Sequence, residues 1–112
     1  MYAALFEMES WLGTEQYIFT GNSASELLSK FEEVQSLECL AEMGKRQERS
    51  ATSKKAIMLL EELLDKHLSG TMTIEDLLSL DIKISLGSIK CIKILEGDDA
   101  KDKLKLEYPK AR

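Results

Sequence analysis

The sequence has little of what breaks or cross-links a chain, with one proline, six glycines and two cysteines among 112 residues. Few breakers favour helices, and Cys39 and Cys91 are expected to be free thiols in a reducing compartment. No run approaches the roughly 18 apolar residues of a membrane span. Residues 1–13 carry acidic side chains and lack the basic start of a secretory signal. We therefore expect a cytoplasmic protein with no membrane partner.

The residue patterns of catalysis and cofactor binding are also missing. His67 is the sole histidine, whereas zinc requires three or four ligands of the His, Cys and carboxylate types. No Walker loop, GxGxxG, GxSxG or EF-hand pattern occurs. A nucleophilic Cys39 or Cys91 would need a nearby base, and His67 is the one candidate. We therefore expect no enzyme activity and predict no catalytic, cofactor-binding or metal-binding residues.

The clearest pattern present is a helical period over Ser53–Gly70. Its apolar side chains fill one half of the helical wheel and its acidic ones the other, while Gly70 stands where a left-handed cap is expected. His67 falls in the apolar half. We expect it to be a core histidine bonded to a backbone carbonyl, with a buried general base or pH switch as the functional alternative.

Two further helices are predicted before this central one. Residues 2–12 show a helical stripe with Trp11 at its edge, and a β-prone run, Tyr17–Thr20, follows. Ser23 and Glu26 form the capping box of a second helix. Its apolar phase slips after Gln35, so the helix either continues and touches two surfaces, which we favour, or breaks near Ser36. A basic connection over 45–52 leads to the central helix.

The last third of the chain changes period. Thr73 caps a short helix over 74–80, after which 81–95 alternates around Gly87-Ser88 like a hairpin with a type II′ turn. That turn would pair Ile82 with Lys93. After a polar loop at 97–102, residues 104–108 alternate again and predict a third strand.

A competing interpretation keeps this tail helical, with a fifth helix at 88–96. Residues 76–95 resemble the last third of a SAM domain, in which a DL..L.I pattern leads through a glycine into a basic helix. The matching residues here are Asp76, Leu77, Leu80, Ile82, Gly87, Lys90 and Ile92. The earlier half of that pattern does not occur at the right spacing, so the sequence is assigned to no family.

Charge is distributed unevenly along the chain. Residues 1–44 contain eight acidic side chains against Lys30 alone, whereas 45–56 is basic. An acidic surface repels nucleic acid and membranes and attracts basic proteins. The basic run has no aromatic residue to stack on bases, so nucleic-acid binding is not expected.

The sequence therefore predicts a single domain over 1–112 that is mainly helical (α+β): about four helices in a bundle, with a C-terminal β-hairpin or three-stranded meander at 81–108. The predicted function is binding of a basic protein partner, as by an inhibitor, immunity protein or antitoxin. A homodimeric adaptor, secretion chaperone or regulatory subunit is the alternative. The predicted partner-binding residues are aromatic anchors and acidic side chains, namely Trp11, Tyr17, Glu26, Glu32, Glu33, Glu38 and Glu42.

Overall fold

A computed structural model describes residues 1–47, 51–84 and 87–112. Within these ranges the chain forms four strands and five helices. In chain order they are β1 (Tyr2–Ser10), β2 (Gly13–Gly21), α1 (Ala24–Val34), α2 (Leu37–Gln47), α3 (Ala51–Ser69), α4 (Ile74–Leu78), β3 (Asp81–Ile84), β4 (Gly87–Glu96) and α5 (Ala100–Glu107).

The strands form one antiparallel sheet in the order β2-β1-β4-β3. The fold is therefore α+β and begins with a strand-rich sheet, so the prediction of a helical bundle with a C-terminal hairpin is wrong. The predicted helix over residues 2–12 is replaced by β1 and the start of a hairpin. In β1, residues Ala3–Phe6 are buried on both faces of the sheet. A strand buried on both faces lacks the alternation of apolar and polar residues that identifies a strand with one face in solvent.

Two hydrophobic clusters cover the two faces of the sheet. On one face, α1 to α4 pack on the sheet through a core that contains Phe6, Leu27, Phe31 and Leu60. The rings of Phe6 and Phe31 stack with centroids 4.6 Å apart. On the other face, α5 covers part of the sheet by burying Ala100 and Leu104 against Ala3, Leu5 and Ile18.

The local capping signals agree with the structure. Ser23 caps α1 and its Oγ accepts from Glu26 N, although the Glu26 side chain accepts from Asn22 N rather than from Ser23 N. Thr73 and Asp76 form a complete capping box at α4. Gly70 has a φ of 72°, the left-handed conformation expected after α3.

The prediction that the second helix continues past Gln35 is wrong, because α1 ends at Val34 and a separate helix, α2, begins at Leu37. Ser36 caps the new helix, with its Oγ accepting from Cys39 N. Leu37 is fully buried, which explains why the apolar phase rotates there. The basic connection 45–52 lies partly in α2 and α3 and partly, at 48–50, outside the described residues.

The C-terminal strands exist, but their predicted pairing is wrong. Ile82 is opposite Ile89 rather than Lys93, β4 already begins at Gly87, and 85–86 lie outside the described residues. The predicted third strand is helix α5, where Leu104 is buried and Leu106 is 84% exposed. The helical alternative at 88–96, and with it the resemblance to a SAM domain, is excluded by strand β4.

Candidate functional site: the hairpin tip, the cleft and the acidic helices

The tip of the β1–β2 hairpin exposes two large apolar side chains. Trp11 and Leu12 connect Ser10 to Gly13, which are opposite each other in the ladder. Trp11 is 86% exposed and Leu12 is 78% exposed. Ser10 Oγ accepts a hydrogen bond from Leu12 N at 3.2 Å, which orders the turn. The tip therefore presents an aromatic and an aliphatic side chain to solvent at the end of the β1–β2 hairpin.

An apolar cleft of about 270 Å³ lies at the same end of the sheet. Ser10 belongs to both features, so the tip and the cleft adjoin. The cleft opens between the sheet, the helices α2 and α3, and the residue that follows α1. It is lined by Met8, Glu9, Ser10, Gln35, Leu40, Leu60, Ile82, Gly87, Ser88 and Ile89. Apolar walls with a few polar groups are suited to an apolar side chain or small apolar ligand.

The predicted acidic residues lie on α1 and α2, and several have local partners. Glu26 accepts from Asn22 N at 3.0 Å and lies 3.9 Å from Lys30 Nζ, while Glu42 lies 3.7 Å from Lys45 Nζ. Glu33 and Glu38 are exposed. These two therefore present their charge to solvent.

The side chain of Glu32 contacts His67 across the α1–α3 boundary. Glu32 Oε1 lies 3.2 Å from His67 Nε2, and Ser29 Oγ lies 3.3 Å from the same nitrogen. Burial raises the pKa of Glu32, His67 opposes this shift, and the nearby charge of Glu38 adds to it. His67 thus contacts side chains rather than the backbone carbonyl that we expected.

Ser29, His67 and Glu32 have the residue types of a catalytic triad but a different geometry. A triad places the acid on one imidazole nitrogen and the hydroxyl on the other. Here both oxygens approach Nε2, and His67 Nδ1 is buried without a hydrogen-bond partner among the described residues. The arrangement links two helices and does not orient the imidazole to take the proton of Ser29.

Tyr17 is 8% exposed, and its ring packs in the core with Phe19. Its hydroxyl donates to the Glu15 carboxylate at the sheet edge. That hydrogen bond, burial and the charge of Glu15 raise the pKa of Tyr17, while the Arg112 side chain opposes the shift. The aromatic face of Tyr17 is therefore buried, and its hydroxyl is the part of the side chain that reaches the sheet edge.

The two cysteines are free and occupy different environments. Cys39 is exposed on α2. Cys91 is buried on β4, and this burial raises the pKa of its thiol to about 12. Within 1–47, 51–84 and 87–112 no three His, Cys, Asp or Glu side chains converge as metal ligands. The helices of these ranges include none with the length and apolarity to cross a membrane.

Sequence reasoning missed Leu12 and the cleft. It placed Leu12 in the stripe of a helix, whereas Gly13-Thr14 after Trp11-Leu12 marks a two-residue hairpin loop. The signal was the β-prone run Tyr17–Thr20, because a strand needs a hydrogen-bonded neighbour and the nearest is the preceding segment. No protein-family model, curated protein or solved structure matches this chain.

Proposed function

We propose that this protein is a non-catalytic binding domain that acts in the cytoplasm and holds a basic protein partner, as inhibitors, immunity proteins and antitoxins do. The observation that carries the proposal is the exposure of Trp11 and Leu12 side by side at the hairpin tip. Tryptophan is enriched among the residues that dominate binding energy in protein interfaces. The adjoining apolar cleft offers a place for a partner's side chain beside this anchor.

The charge distribution supports a basic partner. The segment that builds the hairpin, α1 and most of α2 contains eight acidic side chains and one lysine. Glu33 and Glu38 are exposed on the two helices. An acidic surface accelerates the approach of a basic protein, and added salt weakens this attraction.

The hairpin tip is tested by affinity capture from the source cell, with mass spectrometry as the readout. Wild type is compared with Trp11→Ala and with Leu106→Ala, a matched control because Leu106 is 84% exposed on α5. We expect Trp11→Ala to lose the captured protein and Leu106→Ala to retain it. Equal capture by both variants would refute the role of the tip. Trp11 is the sole tryptophan, so its fluorescence emission should shift to shorter wavelength when purified partner is added.

The acidic surface is tested by association kinetics with the captured partner. The double variant Glu33→Lys with Glu38→Lys should slow association and flatten its dependence on salt. Glu32 is left unchanged because it contacts His67. The control variant reverses two exposed acids elsewhere, Glu96 and Asp98, and has the same net charge. Identical association rates for the two variants would show that total charge, and not the α1–α2 surface, attracts the partner.

A homodimeric adaptor is the second candidate. Met58 is 68% exposed and Leu59 is 49% exposed on α3, and adjoining exposed apolar side chains often mark an interface. Light scattering at high protein concentration tests this candidate. A dimer that dissociates in the variant Met58→Lys would support it, whereas a monomeric wild-type protein would exclude it.

A further inference from the structure

Strand β2 is at the edge of the sheet, and residue Arg112 already pairs with it. Ile18 N donates to Arg112 O at 3.0 Å, and Arg112 N donates to Gln16 O at 2.9 Å. In a parallel ladder, the N–H and C=O of one residue bond to the two residues on either side of the residue opposite it. The two bonds of Arg112 follow this pattern. Arg112 therefore lies opposite Tyr17 and makes the hydrogen bonds that a fifth strand would make.

The chain holds Arg112 on the edge through the preceding residues. Ala111 is 4% exposed and packs in the same cluster as Ile18. Its backbone N–H donates to Tyr108 O at 3.1 Å, and its carbonyl accepts from Lys105 Nζ. Among the described residues after α5, Arg112 makes the backbone hydrogen bonds to β2, and Ala111 contributes its buried side chain.

Glu15 and Tyr17 lie on this edge beside Arg112. The Glu15 carboxylate accepts from the Tyr17 hydroxyl, and the Arg112 side chain interacts with that hydroxyl. The edge thus offers a carboxylate and a phenol oxygen to a basic side chain opposite Tyr17. It continues directly into the exposed hairpin tip, because β2 begins at Gly13 just after Leu12.

We propose that the β2 edge from Thr14 to Ile18 is an acceptor for an extended segment of the basic partner, which pairs parallel to β2 with an Arg or Lys opposite Tyr17. Arg112 occupies this acceptor edge opposite Tyr17 in the free protein. The inference rests on the proposed function, since it states how that partner docks. Strand addition supplies affinity through backbone hydrogen bonds and specificity through alternate side chains.

The test compares the full chain with a variant that ends at Lys110. The probe is a fluorescein-labelled peptide, Lys-Ala-Arg-Val-Thr-Val, which copies residues 110–112 and continues as a β-prone strand. A control peptide has Glu in place of Arg. Fluorescence polarisation should show binding to the shortened variant at least about tenfold tighter than to the full chain, because the tethered segment competes for the edge. The Glu peptide should bind more weakly than the Arg peptide.

Hydrogen exchange at Ile18 N–H gives a readout at one atom. Its exchange should be about tenfold faster in the shortened variant, from the loss of one hydrogen bond, and the Arg peptide should restore protection. If the shortened variant unfolds, the full-length variant Arg112→Glu replaces it, and its Ile18 exchange and peptide binding should change in the same direction. Faster exchange that the peptide does not reverse would show that residues 111–112 only protect the edge. Dimerisation of the variant without peptide would assign the edge to a second copy.

The captured partner separates this inference from the proposed function. Capture that needs Trp11 but is equal for the full chain and the shortened variant would leave the binding function and overturn docking at the edge. Stronger capture by the shortened variant, lost in Trp11→Ala, would support both. Capture that ignores Trp11 and the edge alike would overturn both.

Discussion

The geometry at Gly87 allows a quantitative prediction about the end of the sheet that carries the cleft and the hairpin tip. Gly87 lies opposite Ser10 at the end of the β1–β4 ladder. A Cβ atom added at Gly87 would lie 2.1 Å from the Glu9 carbonyl oxygen, whereas real Cβ contacts stay above 3.0 Å. Gly87→Ala must therefore push β1 and β4 apart locally by about 1 Å. This separation takes interstrand N···O distances beyond the range of a hydrogen bond.

The expected loss of stability is roughly 2–3 kcal/mol, from overpacking and weakened ladder hydrogen bonds. With a urea m-value of about 2 kcal/mol/M, the midpoint of urea unfolding should fall by about 1 M. Gly70→Ala is the control, because Gly70 has a φ of 72° but no atom within 4 Å of an added Cβ. Its conformational penalty is about 1 kcal/mol. A Gly87→Ala midpoint no lower than that of Gly70→Ala would refute the argument from the close strand approach.

Three further predictions test the helices and the core. Cys39 should react with Ellman's reagent in the native protein, whereas Cys91 should react only after unfolding, because burial raises the pKa of its thiol to about 12. Rapid reaction of both thiols in the native protein would contradict this. Because burial raises the pKa of Glu32, its ionised form destabilises the protein above that pKa. Glu32→Gln should thus gain stability relative to wild type near pH 7 and lose this gain as the pH falls through the raised pKa of Glu32 toward the ordinary range of a glutamate. A pH-independent difference would contradict the assignment. Phe31→Leu should lower the free energy of unfolding by about 1–2 kcal/mol, measured with urea. A double-mutant cycle with Phe6→Leu should show a coupling energy of about 0.5–1 kcal/mol between the stacked rings. Additive effects would show that the ring stack contributes nothing.

Signals that depend on neighbouring residues in the chain predicted structure well. The Ser23 and Thr73 caps and the left-handed Gly70 follow from hydrogen bonds and backbone preferences within a few residues. They therefore located the starts of α1 and α4 and the end of α3. The central helix was also correct, although Leu59 and Leu68 of its apolar half are 49% and 75% exposed. The helical period shows which side chains share a face but not how much of that face a neighbour covers.

Features that depend on distant residues were not predictable in the same way. Residues 3–6 form a central strand because β4, from the other end of the chain, pairs with β1 and because α5 covers the second face. The residue pattern of 1–12 does not indicate that β4 and α5 will pack against this segment. Its Ala, Leu, Glu and Met residues instead favour a helix. Leu104, Leu106 and Tyr108 alternate like a strand, yet α5 needs only Leu104 and Ala100 for its buried side. Trp11 was predicted as a partner-binding anchor on a helix, whereas the structure exposes it at the tip of a hairpin.

The observed sheet fixes the position of Trp11 relative to the acidic side chains of α1. In a bundle, Trp11 and the acids of α1 would lie on separate helices with no fixed relation. In the sheet, β2 leads from the hairpin tip directly to α1, which packs on β2, and Lys30 of α1 donates to Thr20 O on the same strand. A basic segment added along β2 would therefore contact the tip at one end and approach α1 at the other. Because the hairpin tip and α1 lie at opposite ends of β2, substitutions at the two places should have close to additive effects on partner binding.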